Sequence, residues 1–170
     1  SLSSCALFKG GAYDTTNDVE ESPVNNQITV GLFDLDTYNP IYSLSPTVVN
    51  LMGFVFEPLF SVNEDGTTTN ILAESYTVSP DGKSITVRLK QNVKWHDGSP
   101  FICPDILYTV DKIKSGNSRY KYLIDPIQDA IAIDYNTLKI TFFKPTPNPT
   151  ALLSFPVIKG YSAESDEFKP

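Results

Sequence analysis

Apolar residues recur at a period of two in several short stretches of the chain and at helical spacing in two others. Ile28, Val30 and Leu32 alternate with Thr29, Gly31 and Phe33, which predicts a strand. The run DLDTYNPIYSLSP is a loop, with Asn39-Pro40 and Ser45-Pro46 as breakers. Thr47 to Phe56 predicts a helix before Pro58 interrupts FEPLF, and Asn63 to Gly66 is a turn with glycine where positive φ is expected. SYTVSPDGKSITVRL predicts a hairpin. Tyr76 and Val78 alternate on one arm, and Ile85, Val87 and Leu89 on the other. Ser84, Thr86, Arg88 and Lys90 take the wet face. Ile106, Leu107, Val110 and Ile113 then predict a helix, with Pro104 in its first turn and Gly116 as its stop. IAIDYNTLKITFF predicts a second hairpin. Ile131 and Ile133 lie on its first arm, Asp134 to Thr137 form the turn, and Leu138, Ile140 and Phe142 lie on the return. KPTPNPT breaks the chain, and ALLSFPVIKG is a short helix or strand.

Between the first hairpin and the helix stands NVKWHDGS, residues 92–99, with the chain's one Trp (Trp95) beside its one His (His96). A catalytic His96 needs a nucleophile or reacting group within hydrogen-bond reach, and no G-x-S-x-G or Cys-His pairing is present. A metal-binding His96 lacks partners, since no second His or paired Cys is spaced to join it. The architectural reading remains: Trp95 buries a large ring, Asp97-Gly98 turns the chain, and His96 and Asp97 bond nearby backbone. On that reading His96→Ala lowers stability, by about 1 kcal/mol or more if a buried partner is left unpaired.

Composition narrows the function. Of the 170 residues, 41% are apolar and 12% aromatic, as in a folded domain with its own core. The net charge is −7 and the basic residues form no run, which excludes an electrostatic footprint for nucleic acid. No apolar stretch reaches the ~18 residues that a membrane-spanning helix needs. Two distant cysteines, Cys5 and Cys103, make neither a disulfide framework nor a metal set, with a single Cys5–Cys103 bridge as the minor alternative. Leu2-Ser3-Ser4-Cys5 has the form of a lipobox, and residues 1–26 read as a flexible tether behind a lipid-modified Cys5.

The order of segments resembles the bacterial extracellular solute-binding proteins of family 5, the peptide and nickel class that feeds ABC importers. LDTYNP (35–40), FEPL (56–59), NILAESYTVSPDGKSITVRLKQ (70–91), WHDGSPFICPDI (95–106) and DYNTLKITFFKPTPN carry the resemblance, in order and spacing, over about residues 27–160. The sequence departs from the family in three places: Tyr38-Asn39 is inserted before Pro40, Tyr76 stands where Trp is common, and Cys103-Pro104 replaces Thr-Ala. The last removes the hydroxyl expected to cap the helix.

The resemblance implies an α/β fold with α+β character, of the type II periplasmic-binding-protein kind. The chain then supplies the first strand of the main domain and the mixed-sheet subdomain that follows, with antiparallel hairpins and short helices. Residues 27–165 are expected to be the N-terminal lobe, with the second lobe absent. It implies a non-enzymatic receptor that takes no cofactor or metal and captures oligopeptides or another small solute. The receptor hands its cargo to ABC permease subunits, as a monomer held to the outer face of the cytoplasmic membrane by its lipid anchor alone, or free in the periplasm. Asp34, Leu35, Asp36, Thr37, Tyr38 and Asn39 emerge from a strand end and are the candidate ligand-binding residues. Asp34 or Asp36 can pair with a peptide's amino end; either can equally be a turn carboxylate bonding its own backbone. Glu57 reads as structural, and Tyr108, Tyr120 and Tyr122 as a mixture of core and surface. Two other classes stay open: a surface adhesion or signalling module reusing the fold, and a cell-surface hydrolase, which needs a paired-carboxylate or triad geometry.

Overall fold

The structure is a computed structural model, described here for residues 36–160. The strand expected at 28–32, Asp34, Leu35, Cys5 and the tether lie outside the described residues.

Helix α1 (Pro46–Met52) starts where the Ser45 hydroxyl accepts the Val48 N–H at 3.5 Å, with proline in its first turn. It stops at Gly53, short of the predicted Phe56, because the chain there folds into turns that return Phe54 and Val55 N–H to Leu51 and Met52 carbonyls. Strands β1 (Phe60–Val62) and β2 (Thr68–Asn70) pair antiparallel around the Asn63–Gly66 turn, where Gly66 has φ +80°. Strands β3 (Ala73–Val78) and β4 (Ser84–Leu89) form the first predicted hairpin. After it come α2 (Cys103–Ser115), the short α3 (Lys121–Ile124), β5 (Ile127–Ala132) and β6 (Thr137–Phe142). A four-stranded antiparallel sheet results, in the order β3-β4-β6-β5.

One face of this sheet and one stripe of α2 make the core. Ile85, Val87 and Leu89 alternate inward on β4, Leu138, Ile140 and Phe142 on β6, and all six are essentially inaccessible. Cys103, Ile106, Val110 and Ile113 of α2 belong to the same cluster. On β4 the opposite face is wet as predicted, with Arg88 paired to Glu74 at 3.1 Å in the open; a pair so exposed adds little stability.

The first arm of the second hairpin turns its paired isoleucines outward. Ile131 and Ile133 sit on the solvent face, 47% and 57% exposed, while Ala130 and Ala132 face the core opposite Ile140 and Leu138. The cause is a bulge between Ile127 and Asp129. One extra residue reverses which side chains point inward beyond it, so Ile127 is buried yet Ile131 is not.

The start of α2 also differs. The hydroxyl cap lost with Cys103-Pro104 is replaced by Asp105, whose carboxylate accepts the Ile102 N–H at 3.0 Å. Cys103 is a buried free thiol, pushed up to about 12 by burial and then by the charges of Asp134 and Asp105. It is therefore inert as a nucleophile.

Candidate functional site

The loop preceding α1 is organised by Asp36. Its Oδ1 accepts the Thr37 N–H (2.8 Å) and the Ser43 hydroxyl (2.7 Å), and its Oδ2 accepts the N–H groups of Leu44 (2.6 Å) and Ser45 (3.2 Å). These donors, the Ser43 hydroxyl first, hold its pKa at about 2. A carboxylate has about four acceptor positions, so Asp36 is committed to the loop and acts as a turn carboxylate. Its alternative part, pairing with a peptide's amino group, would cost one of these bonds.

The next residues extend the same scaffold. Thr37 Oγ1 accepts the Asn39 N–H at 3.1 Å, and Asn39 Oδ1 accepts the Ile41 N–H at 3.1 Å. Tyr38 stands out from the loop, 44% exposed. The loop is in turn fastened to the far end of α2. The Tyr42 hydroxyl donates to the Lys112 carbonyl at 3.1 Å, and buried Ser118 donates to the Ile41 carbonyl. Ser118 thereby brings a second segment to the loop, with exposed Arg119, half-buried Tyr120 and exposed Tyr122. Sequence reasoning set these tyrosines aside, because the contact joins residues 77 positions apart and no periodicity reports it.

WHDG is a turn. Trp95 N–H donates to the Ser99 carbonyl at 2.9 Å, and Gly98 N–H to the Trp95 carbonyl at 2.8 Å, with Gly98 at φ +83°. That backbone is cheap only for glycine. Asp97 Oδ1 accepts the Ser99 N–H (3.0 Å) and hydroxyl (2.7 Å), and Lys159 pairs with its other oxygen. The Lys159 ammonium, ahead of the Ser99 donors, holds the Asp97 carboxyl well below the usual carboxylate range. Trp95 packs edge-on to Phe101, centroids 5.9 Å apart, and its indole N–H donates to Asp105 at 2.9 Å. His96 departs from expectation: it is exposed at the rim of a cleft of about 210 Å³ shared with Phe54, Phe56 and Val157, and no described residue hydrogen-bonds its ring.

The chain matches NikZ from Campylobacter jejuni, solved in complex with Ni(L-His), with a TM-score of 0.66 and 26% identity over 78% of this chain and 27% of that one. Listeria monocytogenes OppA, solved with bound peptide, shares the fold with a TM-score of 0.64, at 23% identity over 72% of this chain and 28% of that one. The fold is that of the type II periplasmic binding proteins. Residues 67–170 match the model described as bacterial extracellular solute-binding proteins, family 5 middle, and the chain belongs to that family. A glutathione-binding protein, GsiB of Pectobacterium atrosepticum, is 36% identical over 113 residues, 65% of this chain and 21% of the relative. The GsiB of Escherichia coli K12 is 34% identical over the same share of this chain and 22% of its own length. The chain thus spans about a fifth of the length of the curated relatives it matches.

Proposed function

We propose that this chain is part of the substrate-binding component of an ABC importer, and that its solute is an oligopeptide. The family match over residues 67–170 carries the reading. The solute class is supported by GsiB, a glutathione-binding protein 36% identical over 113 residues. The protein captures solute outside the cytoplasmic membrane, anchored through Cys5 as a lipoprotein, and delivers it to permease subunits as a monomer.

The solute lies against Asp34, Leu35, Asp36, Thr37, Tyr38 and Asn39. In this division of labour Asp34 faces the peptide's amino end, Asp36 holds the loop in shape, and Tyr38 offers an exposed ring. Arg119, on the segment that Ser118 ties to the loop, offers a cation to a peptide carboxylate. Binding-protein closure draws on contacts to two lobes at once, so this chain alone binds weakly.

Two measurements test the reading. Amide NMR with millimolar tri- to pentapeptides is expected to move resonances of residues 36–43 and 117–122; movement confined to the outer sheet face instead refutes the site. Uptake of labelled tripeptide is expected to fall in cells lacking the gene. Unchanged uptake of peptides, nickel chelates and sugars alike removes the importer reading.

A further inference from the structure

Asp105 is a carboxylate only 5% exposed on the first turn of α2. Three donors from three separate parts of the chain converge on it: the Trp95 indole N–H at 2.9 Å, the Ile102 N–H at 3.0 Å and the Gly160 N–H at 2.8 Å. A buried carboxylate is tolerated only when its lone pairs are filled, and here each filling donor fixes a different segment.

The segment Val157–Gly160 is held at every residue. Val157 N–H donates to the Glu57 carbonyl at 3.1 Å. Ile158 N–H donates to Thr109 Oγ1 at 3.1 Å, and the Thr109 hydroxyl lies 3.2 Å from the Ile158 carbonyl. Lys159 pairs with Asp97 of the WHDG turn. Gly160 approaches α2 so closely that a Cβ there would lie 2.9 Å from Asp105 Oδ1 and 3.2 Å from its Cα. At the other end of α2, Tyr42 and Ser118 fasten the loop that leads into α1.

We propose that Asp105 is the positioning residue of a rigid hub. The hub locks the WHDG turn, the start of α2 and the segment 157–160 into one unit. Given the importer reading, on which this consequence rests, closure around solute leaves the three joined segments in one fixed arrangement. The chain's one tryptophan reports on the hub, because its indole shares a carboxylate with Gly160.

The test needs no solute, so its failure is distinct from failure of the importer reading. Gly160→Ala and Asp105→Asn are compared with the unmodified protein by Trp95 fluorescence and amide hydrogen exchange. Gly160→Ala, 65 positions from Trp95, is expected to red-shift Trp95 emission. Both variants are expected to speed exchange at residues 158–160 and Ile102 at least tenfold, while Val87 and Ile140 amides in the sheet keep their protection. Trp95→Phe is expected to speed exchange at residue 160 in return. The hub is refuted if Gly160→Ala leaves Trp95 emission unchanged, or if protection falls equally across the sheet and residues 158–160. Should Asp105→Asn fail to fold, the Gly160→Ala and Trp95→Phe pair still decides.

Discussion

Gly116 offers a sharp test of how the candidate loop is seated. It follows α2 with φ −101° and ψ 178°, an extended conformation open to any residue, so Gly116→Ala carries no backbone strain. Its difficulty is contact: an added Cβ would lie 2.5 Å from Tyr42 Cε1, 2.9 Å from the Lys112 carbonyl oxygen and 3.0 Å from the Tyr42 hydroxyl. The ring must move, and its 3.1 Å bond to the Lys112 carbonyl goes with it. Losing that bond costs about 1 kcal/mol, and re-seating a half-buried ring among packed neighbours costs about 1–3 kcal/mol. The expected destabilisation is therefore about 2–4 kcal/mol in urea unfolding. Gly66→Ala is the control. It meets nothing within 4 Å but sits at φ +80°, so it costs about 1–2 kcal/mol from the backbone alone. The decisive measurement is the double-mutant cycle. In a Tyr42→Ala background, Gly116→Ala is expected to lose the part of its cost owed to the ring and keep the part owed to the Lys112 carbonyl, while Gly66→Ala keeps its full cost. A coupling energy below about 0.5 kcal/mol between positions 42 and 116 refutes the claim that Tyr42 packs on the end of α2.

The remaining predictions concern charge and burial. Asp36 has its pKa lowered from 3.8 to about 2. Its bonds therefore favour the folded loop fully above pH 3.8 and are lost as pH falls through 2. Leu44 and Ser45 amide shifts followed by NMR should titrate in that window, and a midpoint near 4 refutes the bonding. Ile140→Ala should cost about 2–5 kcal/mol by urea unfolding, whereas Ile131→Thr should change stability by less than about 0.5 kcal/mol; equal costs refute the bulged register of β5. His96→Ala should be within about 0.5 kcal/mol of neutral, and a loss above about 1 kcal/mol in the same assay shows a buried partner for the ring.

The parts of the fold legible in sequence are those set by local rules. The 73–89 hairpin follows from strict alternation on β4 and a Ser-Pro-Asp-Gly turn, where Gly82 takes φ +66°. Helix α2 follows from its apolar spacing and from Gly116. The bulge in β5 left only a faint trace, the polar pair Gln128-Asp129 between Ile127 and Ala130. Without it, Ile131 and Ile133 look like core residues, because alternation gives a period but not which face is buried. At the candidate site, Asp36, Thr37 and Asn39 were legible as loop formers, since their bonds reach at most nine residues. The neighbouring Ser118–Tyr122 segment was not, because tertiary packing alone brings it there.

The same distinction explains WHDG. Its turn is local and readable: Asp97 bonds Ser99, and Gly98 takes the left-handed position. Its purpose is not local. Trp95 reaches ten residues forward to Asp105, and Lys159 reaches 62 residues back to Asp97. A catalytic reading would need a carboxylate free to exchange protons. Asp105 instead has its oxygens taken by three donors, and Asp97 is bonded on both of its own. An aromatic donor and an acidic turn, spaced to meet a helix start and the segment 157–160, make a structural joint. His96, the residue most suggestive of chemistry, is the member of the motif that this joint does not use.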